Sequence, residues 1–472
     1  MSIIVPSSSN SDSSTLNEPT TPDIRDVAAD GARDVAAESP TTAHTRRTIP
    51  IHSTVRWWTW PIVIIALFLI LQPLIGSGWA MYPDSYRYAK QVEVILGATP
   101  SQANAAALKA YCDTTASQRT RIGRWVPLVE SETDHDKRAA RCIDQYANAG
   151  DLTTTDPRYQ AIFTTRPGYP LVATPFVAAF GIADGMRILG CILACGGGIL
   201  TYAALRLWRI RATAAAAGQV LYLLSPLGWW ALQALGEGLV SASILGAMIG
   251  IAAIRRGHLR GGLVTMGCAW IALGITRYST LLLAAAGIAV GCVAIAIWVD
   301  RADPGRRRAM FAAAALSATA TVATVLAMPI FGLPGSSVTL QDTFTRHFAD
   351  PLVPDPWYRL AALNYHFWPK WISAPGTSWL LVGCALAGAA ALFRWRRDLA
   401  WIAVALFGVG AAHIAAHPLP GEAERLGLLM WTPVVFGLAV ALHALTCRLH
   451  LSMTLSISEP SHDGAHRSGA DR

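Results

Sequence analysis

Asp84 stands in the run Tyr82-Pro83-Asp84-Ser85-Tyr86-Arg87-Tyr88, where an uncharged stretch from Trp57 to Pro83 gives way to polar sequence. Crossing a hydrocarbon core takes about 20 apolar residues, so this carboxylate sits where a membrane span meets water, and that position points to chemistry at a membrane surface. Four more charges are isolated between apolar runs in the same way: Glu237, Arg277, Glu422 and Arg425. Arg277 lies between the apolar runs Gly261–Thr276 and Ser279–Trp298, the first of them short for a full crossing. A cation within a bundle costs on the order of 3 kcal/mol and normally has a partner or an anionic ligand. It either binds such a ligand, pairs with Glu237, or snorkels to headgroups.

The elements that must position these residues follow from composition. The chain has 472 residues, 53% hydrophobic and 14% charged, with a mean hydropathy of +0.37 and the apolar residues in long blocks. That is the composition of an all-α polytopic membrane protein. A net charge of +8 raises the question of nucleic acid, but the arginines sit in short loops between apolar blocks, where they report orientation. No nucleic-acid partner is expected.

Hydropathy gives about ten transmembrane helices, at 57–79, 186–207, 213–234, 238–254, 261–276, 279–299, 309–330, 377–393, 399–414 and 427–446. The clusters Arg206/Arg209/Arg211, Arg255/Arg256/Arg260, Arg301/Arg306/Arg307/Arg308, Arg394/Arg396/Arg397 and Arg448 then all fall on one side, the cytoplasmic one by the positive-inside rule. The apolar stretch 169–181, about 13 residues, would invert every later cluster if it crossed, so it reads as a re-entrant or interfacial segment. Residues 1–56 and 448–472 read as disordered cytoplasmic tails flanking a membrane domain at 57–447, the first too polar to bury a core. The expected location is the plasma membrane, multi-pass, with both termini cytoplasmic.

On this topology two large loops, 79–168 and 331–376, lie outside, together with the turns that carry Glu237, Arg277, Glu422 and Arg425. The candidates thus share one face, although orientation came from arginine clusters and the candidates from their isolation. The first loop holds Cys112 and Cys142, outside the apparent spans. In an oxidising compartment these two can pair, and their spacing leaves it open whether they do. His413 and His417, one helical turn apart ahead of Glu422, read as a polar helix end more readily than as a metal site.

Four motifs in order carry a family resemblance: Asp84 after the first span; Thr165-Arg166-Pro167-Gly168-Tyr169-Pro170-Leu171 after the large loop; Gly236-Glu237-Gly238 opening a helix; and Gly274-Ile275-Thr276-Arg277-Tyr278-Ser279. With Glu422-Ala423-Glu424-Arg425 before the last span, the chain resembles GT-C-fold membrane glycosyltransferases, in the bacterial branch of protein O-mannosyltransferases and aminoarabinose transferases. The resemblance covers roughly 57–447. It implies inverting transfer of a sugar from a polyprenyl-phosphate donor to a protein or glycan acceptor on the outer face, in the cell envelope. It makes Asp84 the candidate base, with Glu237 also catalytic, and assigns the donor phosphate to Arg277, Arg425 and Arg166. A second acid is expected, and Asp156 and Glu422 are further candidates for it. The resemblance assigns no definite cofactor, and Asp84 could instead hold a divalent metal. A lipid or polysaccharide flippase and a noncatalytic scaffold are the alternatives; a flippase should place ionisable groups near the bilayer midplane.

Overall fold

A computed structural model describes residues 52–75, 79–125, 134–374 and 377–457. Among them every regular element is helical: α1 (His52–Ile75), α2 (Pro83–Ile95), α3 (Pro100–Trp125), α4 (His135–Tyr146), α5 (Pro157–Thr164), α6 (Gly168–Phe180), α7 (Ile182–Leu207), α8 (Ala212–Leu224) and α9 (Pro226–Leu232) form the first half. The second half is α10 (Glu237–Arg255), α11 (Leu259–Ala294, extended by a π turn to Val299), α12 (Pro304–Ile330), α13 (Ser336–Phe344), α14 (Pro356–Ser373), α15 (Thr377–Trp395), α16 (Arg397–Ala416), α17 (Ala423–Leu426) and α18 (Thr432–Ile457). Of the expected tails, 1–51 and 458–472 lie outside the described residues. Helix α1 begins at His52, ahead of residue 57, and α18 continues to Ile457, past residue 447, so the helical part extends into both expected tails.

Among the described residues six helices are long and apolar enough to cross a membrane: Ile182–Leu207, Glu237–Arg255, Leu259–Val299, Pro304–Ile330, Arg397–Ala416 and Ala423–Arg448. By length and composition this is a helical membrane protein. Shorter apolar helices lie at Thr59–Gln72, Gly168–Phe180, Ala212–Leu224 and Trp379–Trp395. The span expected at 213–234 is not one helix. Pro226 lacks an amide proton and biases Ser225 to extended backbone (ψ 169°), so the segment breaks into α8 and α9.

The longest of the six, 41 residues, would measure roughly 60 Å if straight, about twice a hydrocarbon core. It is folded back instead. Arg255, four residues before it begins, donates to Asp300, the residue after it ends, at 2.6 Å. The reversal is at Arg277, whose backbone is extended (φ −160°, ψ 84°) between helical neighbours. Two arms therefore run between the ends of the bundle, as the two expected segments 261–276 and 279–299 require.

Polar contacts define two ends. At one end Arg255 meets Asp300 and Asp398, Arg256 donates to the Arg206 carbonyl, and Arg396 donates to the Trp208 carbonyl. At the other, Glu237 meets Arg277 and Asp84 meets Arg425. The helix α6 stays at this second end. Gly168 abuts Thr276 and Gly185 abuts Phe176, so α6 folds back on α7, which passes Leu232 and Gly238 before descending to Trp208. Small residues permit such approaches in a bundle: Gly388 of α15 and Gly437 of α18 bring their backbones together where any side chain would collide.

Helices α2 to α5 and α13 to α14 cap the second end. Cys112 of α3 and Cys142 of α4 form a disulfide, with Cα atoms 5.6 Å apart. The two capping segments touch each other through the Tyr159 and His347 rings (centroids 4.8 Å apart) and through Arg158, whose guanidinium lies 4.2 Å from the Phe348 ring centre.

Candidate functional site

Asp84 is the second residue of α2. Tyr82 is extended, Pro83 opens the helix without needing a hydrogen bond for its nitrogen, and the Ser85 hydroxyl accepts the Tyr82 amide at 3.1 Å. The carboxylate thus sits where free amides and the helix dipole favour negative charge. Its Oδ2 accepts from Arg425 Nη1 at 2.6 Å, while Oδ1 has only Arg87 Nη1 at 3.7 Å. Burial works against the charge, but Arg425, by field and hydrogen bond, together with Arg87 and Arg277, holds Asp84 below the usual carboxylate range.

Arg425 is the hub. Beyond Asp84 it reaches Glu422 Oε2 with Nη2 at 2.6 Å and lies 3.7 Å from Glu237 Oε1 through Nε. The same Glu237 oxygen accepts from Arg277 Nη1 at 3.1 Å. Residues from four chain regions are joined in one network: Asp84, Arg425, Glu422, Glu237 and Arg277. Glu237 is buried at the start of α10, and the break at Arg277 lets the arginine turn toward it from the tip of the α11 hairpin.

Arg166 differs from the others. No carboxylate among the described residues lies within 4 Å of it, and its buried Nε has no hydrogen-bond partner. Burial and the neighbouring Arg277 push its guanidinium down from the usual arginine value. It remains a cation, since an arginine does not deprotonate in a protein.

Asp84, Arg166, Arg277, Glu422 and Arg425 line one cavity of about 380 Å³. Leu282, Leu283, Met328, Trp357 and Leu360 give the same cavity an apolar part of its wall. Tyr159 also lines it, and burial pushes that phenol up to about 12, so it stays a neutral O–H. His413 and His417 face the cavity as well, each with a hydroxyl neighbour: Thr280 at 3.2 Å and Thr343 at 2.8 Å. Among the described residues no three His, Cys, Asp or Glu side chains are grouped as metal ligands.

Asp156 does not join the site. It caps α5, accepting the Arg158 amide at 2.8 Å, and its carboxylate is gripped by the Arg158 side chain at 3.1 and 2.8 Å. That hydrogen bonding, against a little burial, holds Asp156 at about 2. An Asp before Pro-Arg is a helix cap, which places Asp156 outside the cavity, while Glu237 and Glu422 stand in the network.

Two residues went unread in the sequence. Arg87, one turn after Asp84, donates to Asp151 at 2.7 Å with both side chains buried, and its guanidinium lies against both the Tyr159 and Phe163 rings, 4.8 and 4.5 Å from their centres. The three-residue spacing from Asp84 on a helix was a usable signal for Arg87. Nothing local marks Asp151. Compared with protein-family models, curated proteins and solved structures, the chain matches none.

Proposed function

We propose that this chain is an inverting membrane glycosyltransferase of the GT-C type, moving a sugar from a polyprenyl-phosphate donor to an acceptor hydroxyl at the outer face of the membrane. The observation that carries the reading is the shared cavity, in which a carboxylate with one uncommitted oxygen faces guanidiniums, one of which, Arg166, has no carboxylate within 4 Å among the described residues. A scaffold has no need to draw Asp84, Glu237, Arg277 and Arg425 from distant parts of the chain into contact.

In the proposed reaction the acceptor oxygen attacks the anomeric carbon while its proton passes to Asp84 Oδ1, and the bond to the donor phosphate oxygen breaks. Arg425 orients Asp84 through Oδ2 and keeps it ionised. Arg166 and Arg277 face the charge that grows on the leaving phosphate, each offering a planar fork of donors. For Arg277, the phosphate would share the guanidinium with Glu237. The apolar wall suits the first isoprene units of the donor.

The topology belongs to the same proposal. Placing the arginine-rich end in the cytoplasm satisfies the positive-inside rule, makes about ten crossings with both termini inside, and puts the Cys112–Cys142 disulfide in an oxidising compartment. The test is to incubate the purified protein with a panel of polyprenyl-phosphate sugars and an acceptor extract, and to follow release of the lipid phosphate. Release that depends on one donor supports the reading. Lipid movement between leaflets with no release from any donor would favour the flippase.

A further inference from the structure

At the end of the bundle opposite the candidate site lies a recess of about 230 Å³ that the proposed reaction does not use. Arg209, Arg255, Arg256, Arg306 and Arg396 line it, against one carboxylate, Asp398, with the buried Trp208 ring as part of the wall. These residues come from four separate stretches: the end of α7, the end of α10, the first turn of α12 and the start of α16.

Charge neutralisation is incomplete. Arg255 pairs with Asp300 and Asp398, Arg396 with Asp398, and Arg306 with Asp303. Arg209 and Arg256 have no carboxylate within 4 Å among the described residues; Arg256 Nη2 donates only to the Arg206 carbonyl, at 2.9 Å. The two helix C-termini here attract cations, but a half-charge of dipole does not offset a full guanidinium. Arg209 and Arg256 are exposed at the recess, and what desolvation Arg256 has, together with the neighbouring Arg209 and Arg206, pushes its guanidinium down, as expected of cations crowded together. Arg209 also holds a left-handed backbone (φ 63°), an unfavourable conformation for a non-glycine residue.

We propose that this recess binds a phosphate group, presented by an anionic phospholipid headgroup or free in solution, with Arg209 and Arg256 as its principal ligands. Guanidiniums from separate helices give the convergent forks that phosphate oxygens accept, and basic pockets between membrane helices are where headgroups dock. The volume is below the roughly 300 Å³ at which drug-sized ligand sites begin, so the occupant is phosphate-sized rather than a sugar nucleotide. The site does not depend on the glycosyltransferase reading.

The experiment uses the full chain in an uncharged detergent. Thermal melting is followed with inorganic phosphate against chloride at matched ionic strength, and native mass spectrometry counts retained phosphatidylglycerol against phosphatidylcholine. Stabilisation by inorganic phosphate identifies the free anion; selective retention of phosphatidylglycerol without it identifies the headgroup. Either should weaken about tenfold or more in Arg209→Gln and Arg256→Gln, the scale of a lost charge-assisted hydrogen bond, and stay unchanged in Arg307→Gln, which carries a charge beside the recess without lining it. Binding of neither ligand by the wild type, or equal weakening by Arg307→Gln, overturns the proposal. The wild-type comparison stands even if a variant fails to fold.

Discussion

The charged groups of the cavity are committed very differently. Arg425 holds three carboxylates, so Arg425→Met should leave Asp84, Glu237 and Glu422 repelling one another and cost on the order of 3 kcal/mol, seen as a lower melting temperature. Arg277→Ala should weaken both donor binding and turnover, because the donor phosphate is charged before transfer and gains charge during it; an unchanged KM and kcat would remove Arg277 from the site. The depressed Asp84 pKa has a direct consequence. A carboxylate below its ordinary 3.8 stays ionised until pH falls through the lowered value, so the base form and the ion pair are both still intact at 3.8 and are lost only as pH falls through that lowered value. The kcat/KM profile should therefore show no Asp84 limb above about pH 4 in the wild type, and Arg425→Gln should bring that limb upward, since burial then acts with less opposition. Asp84, Glu237, Arg277, Glu422 and Arg425 were legible because an isolated charge between apolar runs is costly unless it has a purpose. Asp151 was not, because its partner Arg87 is 64 residues away and the intervening chain fixes no distance.

At the element scale, helix ends and breaks do the positioning. Asp156 caps α5 outside the cavity, so Asp156→Ala should lower the melting temperature while leaving turnover near wild type; a loss of turnover like that of Asp84→Asn would place it in the reaction. The disulfide ties α3 to α4 across a separation of 30 residues, and Cys112→Ser should cost about 3 kcal/mol by freeing that loop in the unfolded chain. Comparing melting with and without reductant checks this, since the variant should no longer respond to it. The Arg277 turn was readable from a polar residue between two apolar runs each near membrane length. The break at Pro226 was marked by the proline itself, but hydropathy averages over such a residue and joined α8 to α9.

At the scale of the whole molecule, two ends of opposite character organise the chain. One gathers arginines and the other gathers the carboxylate–arginine network, and sequence alone separated them because charge bias follows orientation. What hydropathy cannot supply is which helices touch, since that depends on side-chain fit and on close contacts such as Gly388 with Gly437. Cysteines introduced at Asn148 and at Arg307, in a background lacking the exposed Cys268, should label from opposite sides of the membrane in intact cells. Labelling of both from one side would contradict the topology.

If Asp84 takes the acceptor proton, Asp84→Asn removes the step on which transfer depends. The substitution keeps the shape, retains an oxygen for Arg425 and removes the base. With the donor identified by lipid-phosphate release, single-turnover sugar transfer should fall by about 100-fold or more, while donor affinity changes little. Transfer near the wild-type rate would make Asp84 a structural residue at the start of a helix, and the enzyme reading would lose its base.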